Sequence, residues 1–300
     1  MASHNSRPLK GFRILSVCLN LPGPAALMRC HNMGARCVKI EPLPPAHAVP
    51  GTSADPMGLY NRSAYEVLHQ GIRVCAADLK TDKGQGLLHR ELAKADLLLT
   101  SFRPIALAKL GLAWRGLHGR YPGLSQVAIV GSAGARANEP GHDLTYLAQN
   151  GLVQGLALPP TLFADMGGAM MAVEAVLSAA LNQRVRGRGA LHQVALADAA
   201  TYLALPRAWG LTLPGAAVGG GHAGYRVYPC RDGRVAVAAL EPHFAKTLCS
   251  LAGLQKSSLL TLFDPATHAA FTAFFATKSC AQLDVLAMQN DIPLQTMPTR

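Results

Sequence analysis

The chain contains no run of about 18 uninterrupted apolar residues, the length a membrane-spanning helix requires, although half of its 300 residues are hydrophobic. Gly, His, Arg or Glu breaks each of the longest apolar segments, so no membrane partner is expected. The opening stretch "MASHNSRPLKGFRIL" has no long apolar region of the kind that marks a secretory leader. A cytoplasmic location is the corresponding expectation. There is no C-x-x-C, and the seven cysteines are scattered and odd in number. That pattern indicates neither a zinc site nor a disulfide framework, so reduced thiols and no metal are expected. Aromatic residues make up only 6% of the chain. No Lys/Arg block, helix-turn-helix, zinc finger or RNP sequence appears, which argues against nucleic acid as a partner. Acidic residues are scarce: 17 Asp and Glu stand against 28 Lys and Arg, for a net charge of +11. A basic balance without a basic block suits a small phosphate-bearing ligand.

Apolar runs alternate between two periods through the first half. "FRILSV", "RCVKIEP", "IRVCAADL", "DLLLTSF" and "LSQVAIVGS" read as strands. Between them "AALMRCHNM", "TDKGQGLLHRELAKA", "RPIALAKLGL" and "WRGLHGRYP" read as helices, with Gly34 stopping the first and Thr81 capping the second. A Pro- and Gly-rich loop is expected from Pro42 to Gly58. Strands alternating with helices imply a parallel sheet covered on both faces, an α/β, Rossmann-like large domain over residues 1–198. The dinucleotide fingerprint G-x-G-x-x-G is missing, since L-P-G-P follows the first strand. Glu41 ends the second strand, where a ribose-binding acid would lie, but without the glycines it does not indicate a nicotinamide cofactor. "ADMGGAMMAVEAVLSAALNQR" is the longest helical pattern and is apolar nearly all round, which predicts burial between layers. The basic run "NQRVRGRGALHQ" follows it, where cations complement a helix C-terminus. A linker is expected over 199–224. "YRVYPC" and "RVAVAAL" then flank Arg-Asp-Gly, a hairpin signal, and open a smaller α+β domain over 225–300 that is otherwise helical.

Four titratable residues stand at turns and helix starts. Asp143 precedes a short apolar segment, the place of an N-cap, and His142 beside it has no necessary structural role. Asp165 also precedes a helix. The pair Gly167-Gly168 after it uses two helical positions on a residue that costs about 1 kcal/mol each there. Glycines at a helix start let a ligand approach exposed N–H groups that favour an oxyanion or phosphate. Glu241 follows a hairpin strand in "LEPHF" and, taken alone, is a surface carboxylate.

In order along the chain, "LKGFRILSVCLNLPGPAALMRCHNMGARCVKIEP", "RVCAADLKTDKGQGLLHRELAKADLLLTSFRPIALAKLGL", "GHDLTYLAQNGL", "ADMGGAMMAVEAVLSAALNQRVRGRG" and "GGHAGYRVYPCRDGRVAVAALEPHF" resemble the class III CoA-transferase family, which includes the α-methylacyl-CoA racemases. The resemblance covers nearly the whole chain and is nearest to the racemase branch in "GHD-x-x-Y-LA" and "ADxGG". It implies that His142 and Asp165 are paired acid/base groups, that Asp143 and Glu241 orient and tune the histidine, and that Tyr146 lines the site. It implies basic positions near CoA at Lys39, Arg103 and Lys109, and no cofactor beyond the CoA of an acyl-CoA substrate; the developing enolate oxygen needs N–H donors, and the Gly167-Gly168 helix start is the expected source of some. It also implies an interlocked homodimer, in which Glu241 faces His142 from the other subunit. Removing and returning an α-proton on opposite faces needs two such groups, and an imidazole, which titrates near 6.5 in isolation, suits the task. An Asp joins it only if burial raises its pKa.

The chain departs from the family pattern in four places. "HQGIRV" replaces the basic "NRGKRS", "GSAGARANEPGHD" lacks the usual Gln and Gly spacing, Thr161 stands where racemases often have Asn, and "IPLQTMPTR" lacks the closing segment that returns to the large domain. Two alternatives accompany the racemase: a CoA-transferase, the family's other reaction, in which Asp165 forms an acyl anhydride, and, from these departures, a CoA-binding paralogue without catalysis.

Overall fold

The fold is described from a computed structural model, over residues 7–47 and 52–299. The chain divides into two compact units, Met1–Ala204 and Leu205–Arg300. The division falls inside the segment expected as a linker, because residues 196–203 form a helix of the first unit.

In the first unit, β1 (Arg13–Ser16), α1 (Pro22–Asn32) and β2 (Arg36–Glu41) form the opening βαβ unit. Two short helices, α2 (Pro56–Tyr60) and α3 (Arg62–Leu68), precede β3 (Arg73–Ala76). Then come α4 (Asp82–Leu92), β4 (Leu97–Thr100), α5 (Pro104–Lys109), α6 (Trp114–Arg120) and β5 (Ser125–Val130). The unit closes with α7 (Asp143–Gln149), α8 (Phe163–Arg186), β6 (Leu191–Ala195) and α9 (Leu196–Leu203). Capping accounts for several of the starts. Thr81 Oγ1 accepts from Gly84 N–H at 3.1 Å, and Asp55 Oδ1 from Met57 N–H at 3.0 Å, each satisfying one orphan donor of a first turn.

The six strands pair in parallel in the order β3-β2-β1-β4-β5-β6. Side chains alternate across the pleat, so Ile14, Leu97 and Leu99 pack with α1 and α8 on one face. Leu15, Val17 and Leu98 pack with Leu88 and Leu92 of α4 and with Leu107 and Leu117 of α5 and α6 on the other. Helix α8, at 24 residues, is long and apolar enough to cross a membrane. Its Ala164, Ala169, Ala172, Val176 and Ala179 are instead buried in the core of this unit. The expected loop after Pro42 contains helix from Pro56 onwards, and its residues 48–51 lie outside the described part. Strand β6 replaces the end of the expected basic run. It is a sheet edge, and its Leu191 is exposed.

The second unit contains α10 (Leu205–Ala208), the hairpin β7 (Tyr225–Cys230) and β8 (Gly233–Ala238), then α11 (Pro242–Leu251), α12 (Pro265–Ala276), α13 (Cys280–Asn290) and β9 (Leu294–Pro298). β9 pairs antiparallel with β8 at the edge of a three-stranded sheet, where only helix with short breaks was expected. Tyr228 stacks on Phe275 at 5.1 Å between centroids and donates its hydroxyl to Ala223 O at 2.7 Å. Val235, Leu248, Leu262, Phe271 and Leu283 complete this core.

Candidate active site

A polar cavity of about 200 Å³ opens at the carboxyl edge of the six-stranded sheet. Leu19 and Asn20 follow β1 into its wall, Ser101 and Arg103 follow β4, and Gly131 follows β5. Strand order reverses between β1 and β4, and neighbouring connections diverge there to leave a crevice. His142, Tyr146 and Asp165 complete the wall with Glu139 and Gly141. His142, Tyr146, Asp165 and Arg103, all singled out in the sequence, thus share one cavity.

His142 holds the N-cap position of α7 in extended conformation (φ −142°, ψ 167°). Thr145 Oγ1 accepts from its N–H at 3.1 Å and donates to its carbonyl at 2.7 Å. The backbone is fixed while the side chain stays exposed. Asp143, expected as the cap, is instead the first helical residue and is buried. Its Oδ1 accepts from the amide of Asp165 at 3.0 Å, satisfying an orphan donor in the first turn of α8. The two carboxylates are thereby held close. Burial, and then the charge of Asp143, push the Asp165 carboxyl up to about 6. A helix N-terminus favours the anion, but here desolvation outweighs it.

Tyr146 is buried with its hydroxyl between two glycines. A Cβ on Gly131 would stand 2.2 Å from that oxygen, and one on Gly141 2.3 Å. Burial raises the phenol's pKa, and the Asp165 charge adds to the effect.

The remaining predicted residues are placed differently. Gly167 and Gly168 lie inside α8 rather than at its open end. Met166 N–H already bonds Leu162 O at 3.1 Å, so the next amides fall within the i→i−4 ladder and are not free donors for an enolate. Their lack of a side chain serves packing. A Cβ on Gly168 would meet Leu196 Cδ2 at 2.3 Å, and one on Gly167 would meet Leu203 Cδ1 of α9 at 3.1 Å. Lys109 is exposed in the last turn of α5. Glu241, in the second unit, is the exposed N-cap residue of α11.

Lys39 is neither solvated nor open to a phosphate, because its side chain is fully buried. Its Nζ pairs with Asp55 Oδ2, lies 3.2 Å from Glu41 Oε2 and 2.9 Å from His69 Nε2. His69 Nδ1 sits 2.7 Å from Tyr65 O, which fixes the tautomer with Nε2 as acceptor. Burial, then the Lys39 charge, lower the pKa of that imidazole. Glu41 also accepts from Ser53 at 2.8 Å and from Tyr65 at 3.0 Å. The cluster reaches the cavity through Asp55 Oδ1, which accepts from Asn20 N–H at 2.9 Å. Asn20 has φ 64°, a left-handed conformation that Asn tolerates better than most residues. The sequence reading missed Asn20 and Asp55. The signal available for Asn20 was an Asn in a turn two residues before a Pro-started helix.

A second hollow of about 360 Å³ lies on the same carboxyl rim, after β2, β3 and β4. Leu43, Leu79, Phe102 and Leu110 give it apolar walls, and Lys80 and Asp78 lie at its side.

A family model described as "CoA-transferase family III" matches residues 9–299. "Probable fatty acyl-CoA transferase Rv3272" of Mycobacterium tuberculosis is 30% identical over 210 residues, 67% of this chain and 53% of that one. Human "Alpha-methylacyl-CoA racemase" is 28% identical over 298 residues, 91% of this chain and 73% of that one. The chain thus spans about half the length of the first relative and three quarters of the second. "Cinnamoyl-CoA:phenyllactate CoA-transferase" of Clostridium sporogenes is 27% identical over 66% of this chain and 51% of its own. The crystal structure of Rv3272 superposes with a TM-score of 0.78 over 98% of this chain and 86% of that one, at 24% identity. This likeness bears on the fold. With the match running almost end to end, and with racemases and CoA-transferases both among its relatives, the chain belongs to CoA-transferase family III.

Proposed function

We propose that this chain is an acyl-CoA racemase or epimerase that exchanges the α-proton of a 2-methyl-branched acyl-CoA thioester. The observation that carries the reading is one cavity lined by both His142 and Asp165, with the Asp165 carboxyl raised to about 6. A carboxyl at that pKa exists in both forms near neutrality, which is what a group that alternately gives and takes a proton requires. In the forward direction the imidazole of His142 removes the proton from C2. The electron pair moves onto the thioester oxygen as an enolate, and protonated Asp165 delivers a proton to the opposite face. The reverse direction exchanges the two roles. Asp143, bonded to the amide of Asp165, keeps that proton in place by charge repulsion. Arg103 supplies a cation at the mouth for the pantetheine-phosphate arm, and the apolar hollow beside Phe102 suits the adenine end. A homodimer, with Glu241 of a second subunit tuning His142, is part of the same reading.

A second reading rests on the relatives named as CoA-transferases. In it the Asp165 carboxylate attacks the thioester carbonyl, CoA leaves as thiolate, and an acyl–aspartyl anhydride forms. Incubation with (2R)- or (2S)-2-methylacyl-CoA in deuterated water separates the two. Deuterium at C2 with loss of chirality, abolished in His142→Ala, supports the racemase. CoA exchange onto a free acid without deuterium uptake supports the transferase and overturns the first reading.

A further inference from the structure

In the second unit, Cys230 ends β7, Asp232 sits in the two-residue turn to β8, and Cys280 opens α13. Fifty residues separate the cysteines, yet Cys230 Sγ and Cys280 Sγ lie 3.6 Å apart without a disulfide. Asp232 Oδ1 is 3.9 Å from Cys230 Sγ, and one ligand atom of each residue falls within 4.8 Å of the other two. The turn is pinned on two sides. Cys280 N–H donates to Asp232 Oδ1 at 2.7 Å, and Arg231 N–H to Lys278 O at 2.9 Å. Thr299 donates both its N–H, at 2.9 Å, and its hydroxyl, at 3.1 Å, to Asp232 O.

We propose that Cys230, Asp232 and Cys280 form a binding site for a thiophilic divalent cation of the zinc class. Two bonds of about 2.3 Å at a tetrahedral angle place their sulfurs roughly 3.8 Å apart, so the observed spacing needs almost no adjustment. Two sulfurs with a carboxylate select zinc over magnesium or calcium, which take all-oxygen shells. The hydrogen bond from the Cys280 amide orients the carboxylate as an outer-shell partner does. Cys280 at the first position of an 11-residue helix also gains from the positive helix terminus once it is a thiolate. Binding forms two metal–sulfur bonds and one metal–oxygen bond, releases two thiol protons to solvent, and leaves the fourth position to water. Cys280 is buried, Cys230 half-buried and Asp232 exposed, so the cation enters from the carboxylate side. A simple dithiol awaiting oxidation would have no use for the third ligand, and an adjacent carboxylate opposes thiolate formation unless a cation offsets it.

The test titrates reduced, metal-stripped full-length protein with cobalt(II) and with zinc. One equivalent of cobalt giving sulfur-to-metal charge-transfer absorption and tetrahedral visible bands is the expected result. That signal disappears in Cys230→Ser and Cys280→Ser, and the affinity falls at least tenfold in Asp232→Asn. On the unaltered chain, one equivalent of zinc shields Cys230 and Cys280, and no other cysteine, from alkylation mapped by mass spectrometry. This measurement decides the matter even if a variant does not fold. Absence of the charge-transfer signal, its persistence in the double Cys230→Ser/Cys280→Ser variant, or alkylation unchanged by zinc overturns the proposal. Mild oxidation that joins the two cysteines in a chain that takes up no cation when reduced overturns it in favour of a thiol switch.

Discussion

Replacing Asp165 by Asn should make the protein more stable and less active, and the gain in stability should depend on pH. The carboxyl titrates at about 6 in the fold against 3.8 in an open chain. At 1.36 kcal/mol per pKa unit, ionising it in the folded state costs about 3 kcal/mol more than ionising it unfolded. Partial exposure screens some of this, leaving about 2–3 kcal/mol. Between pH 3.8 and 6 the folded protein holds a proton that the unfolded chain has lost, so wild-type stability falls as pH rises through this window. Above pH 6 both states are ionised and the loss is complete. Asn has the same shape and never ionises, and the Asp143–amide bond at position 165 survives the change. Urea unfolding at pH 8 should therefore show Asp165→Asn more stable by about 2–3 kcal/mol, roughly 5–10 °C in melting temperature for a unit of this size. Below pH 3.8 the difference should vanish. The same variant should lose α-proton exchange, a trade of stability against activity seen where a site holds a disfavoured group. An Asp165→Asn protein no more stable than wild type at pH 8, or equally stabilised at pH 3.5, would refute the reasoning.

Gly168→Ala places a methyl 2.3 Å from Leu196 Cδ2 and should cost about 1–3 kcal/mol by overpacking, measurable by thermal unfolding. Lys39→Met leaves Asp55 and Glu41 buried without their cation and should lose about 3–5 kcal/mol. Denaturant midpoints of Lys39→Met and of Lys39→Met/Asp55→Asn should show the second partly restored. Gly131→Ala puts a methyl 2.2 Å from the Tyr146 hydroxyl, should displace it and should lower turnover at least tenfold. Adding Tyr146→Phe should recover stability, a coupling that a double-mutant cycle of melting temperatures reports.

The first five strands were legible because each is a short apolar run bounded by a turn or a capped helix, as at Thr81. β6 was not, since a basic, Gly-containing approach and an exposed edge lack the apolar density of a central strand. Gly167 and Gly168 show a different limit. A missing Cβ admits a ligand or a neighbouring helix equally well, and only the position of Leu196 and Leu203 separates the two uses. Lys39 looked like a free cation because its partner Asp55 lies 16 residues further along the sequence, with no periodic pattern to bring the two together. The placing of His142 and Asp165 in one cavity was reached through family resemblance, since α7 and α8 are joined by a stretch whose path no periodicity reveals. The nearness of Cys230 and Cys280 was invisible for the same reason.

The two hollows along the sheet's rim have a consequence for how a long ligand would be used. Strands spaced about 4.8 Å apart set the depressions side by side, so one end of an extended molecule can be moored while the other is held for reaction. Attachment at the distant end then restrains the reacting end against diffusion and tumbling. If the substrate is the acyl-CoA proposed above, versions trimmed of their nucleotide would lose turnover as well as affinity.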